Sequence, residues 1–340
     1  MKKLLTALLV LVLMFTFVSC GKSSSSDNSS ADTSKSAAYS DTNTVAVGAV
    51  VIVRDDVPED EVYAIVKAIF DNTGDIASQH AKGNELDLAF ASSVTAVPYH
   101  PGAAKYFAEK GYSVASVKSG AGTGSASSLN FGTGGDTGTY YGFGSVLAGY
   151  VTKNTAYSVT AITSGGSKAN IEDLAANDVQ LGFVQSDVMS YAYNGERLFD
   201  GSPVKGFSVV AALYMEQVQI VTTNSSITSG EDLKGKTVSI GAIGSGVYFN
   251  AIDVLTAYGL TVDDIKPVYQ GFGDSADSLK DGKIDAAFVV AGAPTTAITD
   301  LATAKTVYLV NIDDAHADSL IAASPFYSKY TIPAGTYGSK

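Results

Sequence analysis

Two glycine-rich stretches hold the residues best suited to chemistry. Gly132-Thr-Gly-Gly135 follows an apolar stretch and precedes a helical one, and Gly244-Ser245-Gly246 repeats the arrangement further along the chain. Such a turn can hold an anion, because free amides at a helix N-terminus and the helix dipole both favour negative charge. Neither turn is a dinucleotide fingerprint, since the sixth position after Gly132 and Gly134 is Thr137, and no Gly-Lys-Ser/Thr follows as in a phosphate loop. A tight turn needing glycine for positive φ explains each one singly. Their recurrence argues for paired function, and makes Thr133, Gly134, Gly135, Gly244, Ser245 and Gly246 candidate ligand contacts.

Gln185 and Ser186 end an apolar strand, so their side chains either face a cleft or cap the next helix. Asp187 beside them reads as an N-cap, because a carboxylate would repel an anionic ligand. Ser164, Gly165, Ser167 and Asn170 lie in a loop and helix start, where ordinary turn and cap chemistry competes with ligand binding. Thr295, after Pro294, either donates to a ligand or opens a helix. Tyr140 is core or cleft wall. Glu216 suits the ammonium group of an amino acid, or is a solvated carboxylate. Catalysis finds little support: His80, His100 and His316 are widely separated, and neither H-E-x-x-H nor G-x-S-x-G is present. The expectation is a protein that is not an enzyme, with no cofactor and no metal.

The elements that position these residues fall into a pattern occurring twice. The first copy runs from Leu129 through the glycine turn and a helix marked by Tyr140, Phe143, Leu147, Ala148 and Val151. It continues with a strand over 157–162, the loop Ser164–Ser167, a helix around 170–176 and a strand over 180–184. The second copy has a strand at 237–240, its glycine turn, a helix over 247–258 stopped by Gly259, a strand near 265–269, the loop Gly271–Ser275, a short helix and a strand over 285–290. Strands alternating with helices imply parallel sheets, because each crossover helix returns the chain to the same end. Ligands in such sheets sit beyond the carboxyl ends of the strands. Two lobes about a cleft of neutral donors follow, with Val218–Thr222 crossing between them. Before all this come a strand over 44–53, an amphipathic helix opened by Pro58 and Glu59, and a helix within 99–112.

Composition bounds the partners. The 340 residues carry 22 basic against 34 acidic side chains and a formal charge of −12, with no basic patch for nucleic acid. Arg54 and Arg197 are the two arginines, so no arginine cluster clamps phosphate. The single cysteine, Cys20, excludes a disulfide framework and a cysteine-based zinc site. Residues 1–20 have a basic start, an apolar run of about fifteen residues and small residues around Cys20, too short to span a bilayer comfortably. They resemble a bacterial lipoprotein signal peptide, although Phe17 stands where leucine is usual. Cys20 would then be lipidated and the domain would work outside the cytoplasmic membrane, in the periplasm or at the membrane's outer face. Residues 21–38 are Ser-rich with almost no large apolar group, and read as a disordered tether.

From residue 129 onward the chain resembles the TAXI-type solute receptors of tripartite (TRAP) transporters. The stretches that carry the likeness are LNFGTGGDTGTYY, GFVQSDV, ALYMEQVQIV, DLKGKTVSIGAIGSG, DAAFVVAGAPT and YTIPAGTY. In that family a segment like TVAVGAVVIVRDDVPEDEVYAIVKAIF follows YTIPAGTY, whereas here it precedes everything else. The resemblance therefore implies a circularly permuted, two-lobed periplasmic-binding-protein-like α/β fold of type II. Residues 39–116 would be the family's C-terminal part, 117–128 a Gly/Ser joint, 129–217 lobe 1, 218–337 the crossing strand and lobe 2, and 338–340 a tail. The implied function is capture of a small carboxylate (glutamate, 2-oxoglutarate or a C4-dicarboxylate) by a monomer that delivers it to a TRAP permease. A binding protein for an ABC-type importer, or a permuted receptor used as a non-transporting sensor, are the alternatives.

Overall fold

The computed structural model describes residues 40–117 and 128–337. The expected signal peptide, the lipidation site Cys20, the Ser-rich tether, residues 118–127 of the joint and the tail lie outside the described residues.

Two lobes share one strand order. In lobe 1, β2 (Ser128–Gly132) pairs in parallel with β3 (Ser158–Ile162) and with β4 (Leu181–Gln185). In lobe 2, β6 (Thr237–Ser239) pairs in parallel with β7 (Lys266–Val268) and with β8 (Ala286–Ala291). Both lobes thus order their strands second, first, third, and then meet an antiparallel strand: β1 (Thr42–Arg54) beside β4 and β5 (Phe207–Thr222) beside β8. β1 and β5 pair with each other along residues 46–54 and 207–217 and so form the crossing ribbon. This is the two-lobed mixed α/β type II arrangement expected from the sequence.

Within lobe 1, α5 (Thr139–Asn154), α6 (Ser167–Ala176) and α7 (Ser186–Asn194) start at the carboxyl ends of the strands. α8 (Val247–Ala257) and α9 (Phe272–Lys280) do so in lobe 2. Phe143, Leu147 and Val151 of α5 are buried against Phe131 and Phe183 of the sheet, as their helical spacing requires. The early helix, α1 (Glu59–Phe70), buries Val62, Ile65, Val66 and Ile69 in the same core, beside α4 (Pro101–Glu109). Val238, Ile240, Val254 and Phe288 anchor the separate core of lobe 2.

Several boundaries differ from expectation. The strand expected at Val218–Thr222 begins eleven residues earlier at Phe207, so the 217/218 division falls inside β5. Its residues are buried on both faces, which removes the apolar–polar alternation that marks a half-buried strand. The terminal helix starts at Pro101, because Tyr99 is held in extended bridges to Ser116 and Val209. Asp187 is not an N-cap: Gln185 occupies that position, and Asp187 is buried in the first turn of α7. In the last part of the chain, α10 (Thr296–Ala304) opens at Thr295 as one of the two readings had it, while β9 (Tyr308–Val310), α11 (Asp314–Ala323) and β10 (Ser328–Ile332) had no assignment from pattern.

Candidate functional site

Five helices begin at one cavity. The residues preceding α5, α6, α7, α8 and α9 are Gly138, Gly166, Gln185, Gly246 and Gly271, and all five line it. None of these helices has a side chain capping its first amides. Four of the five caps are glycine, which puts no capping side chain over the first amides, although the Ala169 amide of α6 is taken by the Gly244 carbonyl. The result is a cavity of about 600 Å³, its open mouth included, walled by both lobes. A Cβ at Gly246 would overlap the Gln185 amide and stand 2.9 Å from Ser167 Oγ, so the Gln185 side chain would have to move.

Of the residues singled out from sequence, Gly134, Gly135, Tyr140, Ser164, Gly165, Ser167, Gln185, Glu216, Ser245 and Gly246 line this cavity. The other five do not line it; four of them make hydrogen bonds elsewhere through side chain or backbone, and Asn170 does so through Nδ2 while its buried Oδ1 has no partner among the described residues. Thr133 donates from Oγ1 to the Ile162 carbonyl at 2.6 Å. Asn170 donates from Nδ2 to the carbonyls of Thr133 and Phe183, at 2.8 and 2.7 Å, tying α6 to the sheet. Ser186 Oγ accepts from the Gly48 amide and faces a separate groove. Gly244, at φ +87°, accepts through its carbonyl from the Ala169 amide. Thr295 caps α10 and accepts from Gln219 Nε2 at 3.2 Å.

The cavity wall carries two chemically different sets of groups. Ser164, Ser245 and the helix starts present donors. Ser245 Oγ is buried without a hydrogen-bond partner among the described residues, an unmet demand that a ligand oxygen would satisfy. No lysine, arginine or histidine lines the wall among the described residues. The acidic group of the wall is Glu216. Glu216 is 2 % exposed, and its Oε2 accepts from the Tyr140 hydroxyl at 2.7 Å. Burial pushes its carboxyl up to about 8; the Tyr140 bond and the Lys82 ammonium lower it, while Asp187 raises it. Burial likewise holds the Tyr140 phenol well above its ordinary range, so its hydroxyl keeps its proton. Its ring stacks on Phe183 at 4.6 Å and 6°, which makes it core and wall at once.

Hydrogen bonds close the lobes over this space. The Thr139 hydroxyl donates to the Gly292 carbonyl at 2.9 Å, the Ala169 amide to the Gly244 carbonyl at 3.0 Å, and Gln185 Nε2 to Asn250 Oδ1 at 2.6 Å.

Sequence reasoning missed Gly138, Thr139, Gly166, Ala242, Val247, Gly271, Phe272, Val290 and Ala291 on the wall. The internal repeat held the signal for part of them. Gly271-Phe272 occupies in lobe 2 the place of Ser164–Gly166 in lobe 1, and Val290-Ala291 the place of Val184-Gln185. Lys82, buried and 2.6 Å from Glu85 Oε1, was also missed, since an isolated lysine in a short 3₁₀ turn carries no pattern.

The profile of the NMT1-like family matches residues 29–111 and 131–340. The chain belongs to that family. Among solved structures, it is similar to the alkanesulfonate-binding protein SsuA from Xanthomonas axonopodis pv. citri at 18% identity, covering 55% of this chain and 61% of that one with a TM-score of 0.38. SsuA from Escherichia coli follows at 17% identity, 55% and 57% coverage and a TM-score of 0.37. A putative L-cystine ABC transporter protein from Listeria monocytogenes aligns at 20% identity, 54% and 77% coverage and a TM-score of 0.37. The match to the two SsuA structures spans about three fifths of their length.

Proposed function

We propose that this NMT1-like chain is an extracytoplasmic solute receptor that captures a small carboxylate, an amino acid in the first instance, and hands it to a TAXI-type TRAP permease. The observation that supports it is the convergence of five helix N-termini without N-cap side-chain bonds on one cavity between the lobes. Amides and hydroxyls there can hold a carboxylate without arginine, each charge-assisted bond contributing about 1.5–3 kcal/mol. Glu216 on the same wall complements an ammonium group, which favours glutamate over 2-oxoglutarate or a C4-dicarboxylate. Nothing in this reading requires turnover, a metal or a cofactor. The TRAP permease rests on the resemblance of the motifs, as does anchoring through Cys20.

The same resemblance supports a permuted chain order. β10 lies antiparallel to β1 with Ile332 opposite Thr42, and the Ala334 amide donates to Asp41 Oδ1 at 2.9 Å. These two segments meet as the arms of a hairpin would, which suits a family order in which one follows the other directly.

Thermal unfolding against amino acids and mono- and dicarboxylates tests the reading. A solute at a hundred times its dissociation constant should stabilise by about 2.7 kcal/mol. A rise with glutamate and none with neutral sugars is the expected result. A cooperative melt that no carboxylate shifts would overturn the ligand class.

A further inference from the structure

Gln185 reaches the cavity from lobe 1, and what it offers a ligand depends on which way round its amide is held. Its Nε2 donates across the cleft to Asn250 Oδ1 at 2.6 Å. Asn250 is wholly buried in α8, and its own Nδ2 donates twice, to Asp187 Oδ2 at 3.0 Å and to the Tyr327 hydroxyl at 2.8 Å. The geometry leaves little freedom in that choice. Burial raises the Asp187 carboxyl to about 6, and above that pH it is ionised and can only accept. Tyr327 gives its single proton to Asp253 Oδ2 at 2.9 Å, and Asp253 is itself paired with Arg197 at 2.8 Å. The Tyr327 oxygen therefore accepts from Asn250. With both Asn250 amide protons so placed, Oδ1 is what remains for Gln185, which has to donate. The end of the Gln185 amide left for a ligand is Oε1, lying against Gly246.

We propose that Asp187 and the Tyr327–Asp253 pair act through Asn250 to set the polarity of Gln185, so that the cavity meets its solute with an acceptor there in addition to Glu216. This rests on the solute-receptor reading above. Asn250, Asp187 and Tyr327 are positioning residues: they approach the solute through Gln185. The consequence is specificity. A solute with a donor facing this oxygen, such as an ammonium group, gains a bond. A solute with a keto oxygen in its place meets acceptor against acceptor, and a site built for one hydrogen-bond sense discriminates strongly against the other.

The first test needs no solute. In the ¹⁵N-labelled full chain, the side-chain amide protons of Gln185 should exchange with water roughly tenfold or more slowly than those of an exposed glutamine, because they are buried and bonded. Asn250→Leu should abolish that protection, and Asn250→Asp, which keeps an acceptor at the position, should retain it. Free exchange in the unaltered chain would overturn the relay, whether or not either variant folds. The second test compares glutamate with 2-oxoglutarate by calorimetry. The preference for glutamate should fall roughly tenfold in Asn250→Leu and hold in Asn250→Asp, the size expected for one hydrogen bond to a charged group. An unchanged ratio in a folded Asn250→Leu protein would also overturn it. If neither solute binds the unaltered chain, the carboxylate reading falls, and the exchange rates alone decide the relay.

Discussion

Glu216 shows how one buried group ties binding to pH. Its carboxyl is pushed from 4.5 to about 8, chiefly by burial. Between those two values the folded protein holds a proton that the unfolded chain has lost, so stability falls as pH rises from about 4.5 to about 8 and levels off above. Glu216→Gln removes that slope: its melting temperature should exceed that of the unaltered protein by several degrees at about pH 8 and match it near pH 5, read by unfolding across pH. A ligand ammonium reverses the preference, since it favours the ionised carboxylate. Amino-acid binding below about pH 8 should therefore release a proton, with affinity rising up to about tenfold per pH unit and flattening beyond. Calorimetry in buffers of different ionisation enthalpy measures the proton directly. Binding without proton release would place the ammonium away from Glu216. The sequence left Glu216 between ammonium contact and solvated carboxylate, because exposure is a tertiary property. Nearly every residue around it in β5 is buried, Met215 alone being partly exposed, so the strand shows no alternation that would mark it.

At the scale of elements, the repeated strand–turn–helix unit was legible because both copies carry glycine at the same joint and apolar residues at the period of their element. Two glycines on the cavity wall separate structure from binding. A methyl group at Gly246 runs into the Gln185 amide, which Asn250 holds in place, whereas a Cβ at Gly271 meets nothing within 4 Å. Gly246→Ala should cost about 1–3 kcal/mol through overpacking and abolish ligand-induced stabilisation. Gly271→Ala should melt within about 0.5 kcal/mol of the unaltered protein, because no neighbour has to move. Equal melting points for the two, from parallel thermal scans, would contradict the packing around α8. The elements that pattern failed to find share a physical cause. β5 is buried on both faces, and β7 and β9 are three residues long, too short to show a period. The helix starts at Gly166 and Gly271 lack capping side chains, and so lack the sequence signal by which helix starts are read.

At the scale of the whole molecule, chain order and architecture separate. β1 lies first in sequence and yet sits in the middle of the sheet, between β4 and β5, where it completes lobe 1 and forms half of the crossing ribbon. A strand in that position cannot fold on its own: its partners are residues 181–185, 207–217 and 328–332, all far along the chain. What its location in sequence changes is loop closure, whose cost grows only slowly with length. The pairing of Thr42 with Ile332 brings the two described ends together, so a short turn from Tyr337 to Asp41 is geometrically permitted. A chain reordered to run from residue 128 to 337, through a short glycine-containing turn, and then from 41 to 117 should fold to the same structure. Its melting temperature should lie within a few degrees of the original, and its affinity for the same solute within about threefold, because every strand pair and cavity residue is retained. Unfolding and calorimetry on the two chains make the comparison. A reordered chain that melts with a broad or biphasic transition would show that β1 has to emerge first to assemble the ribbon, and would count against an ancestral order in which it comes last.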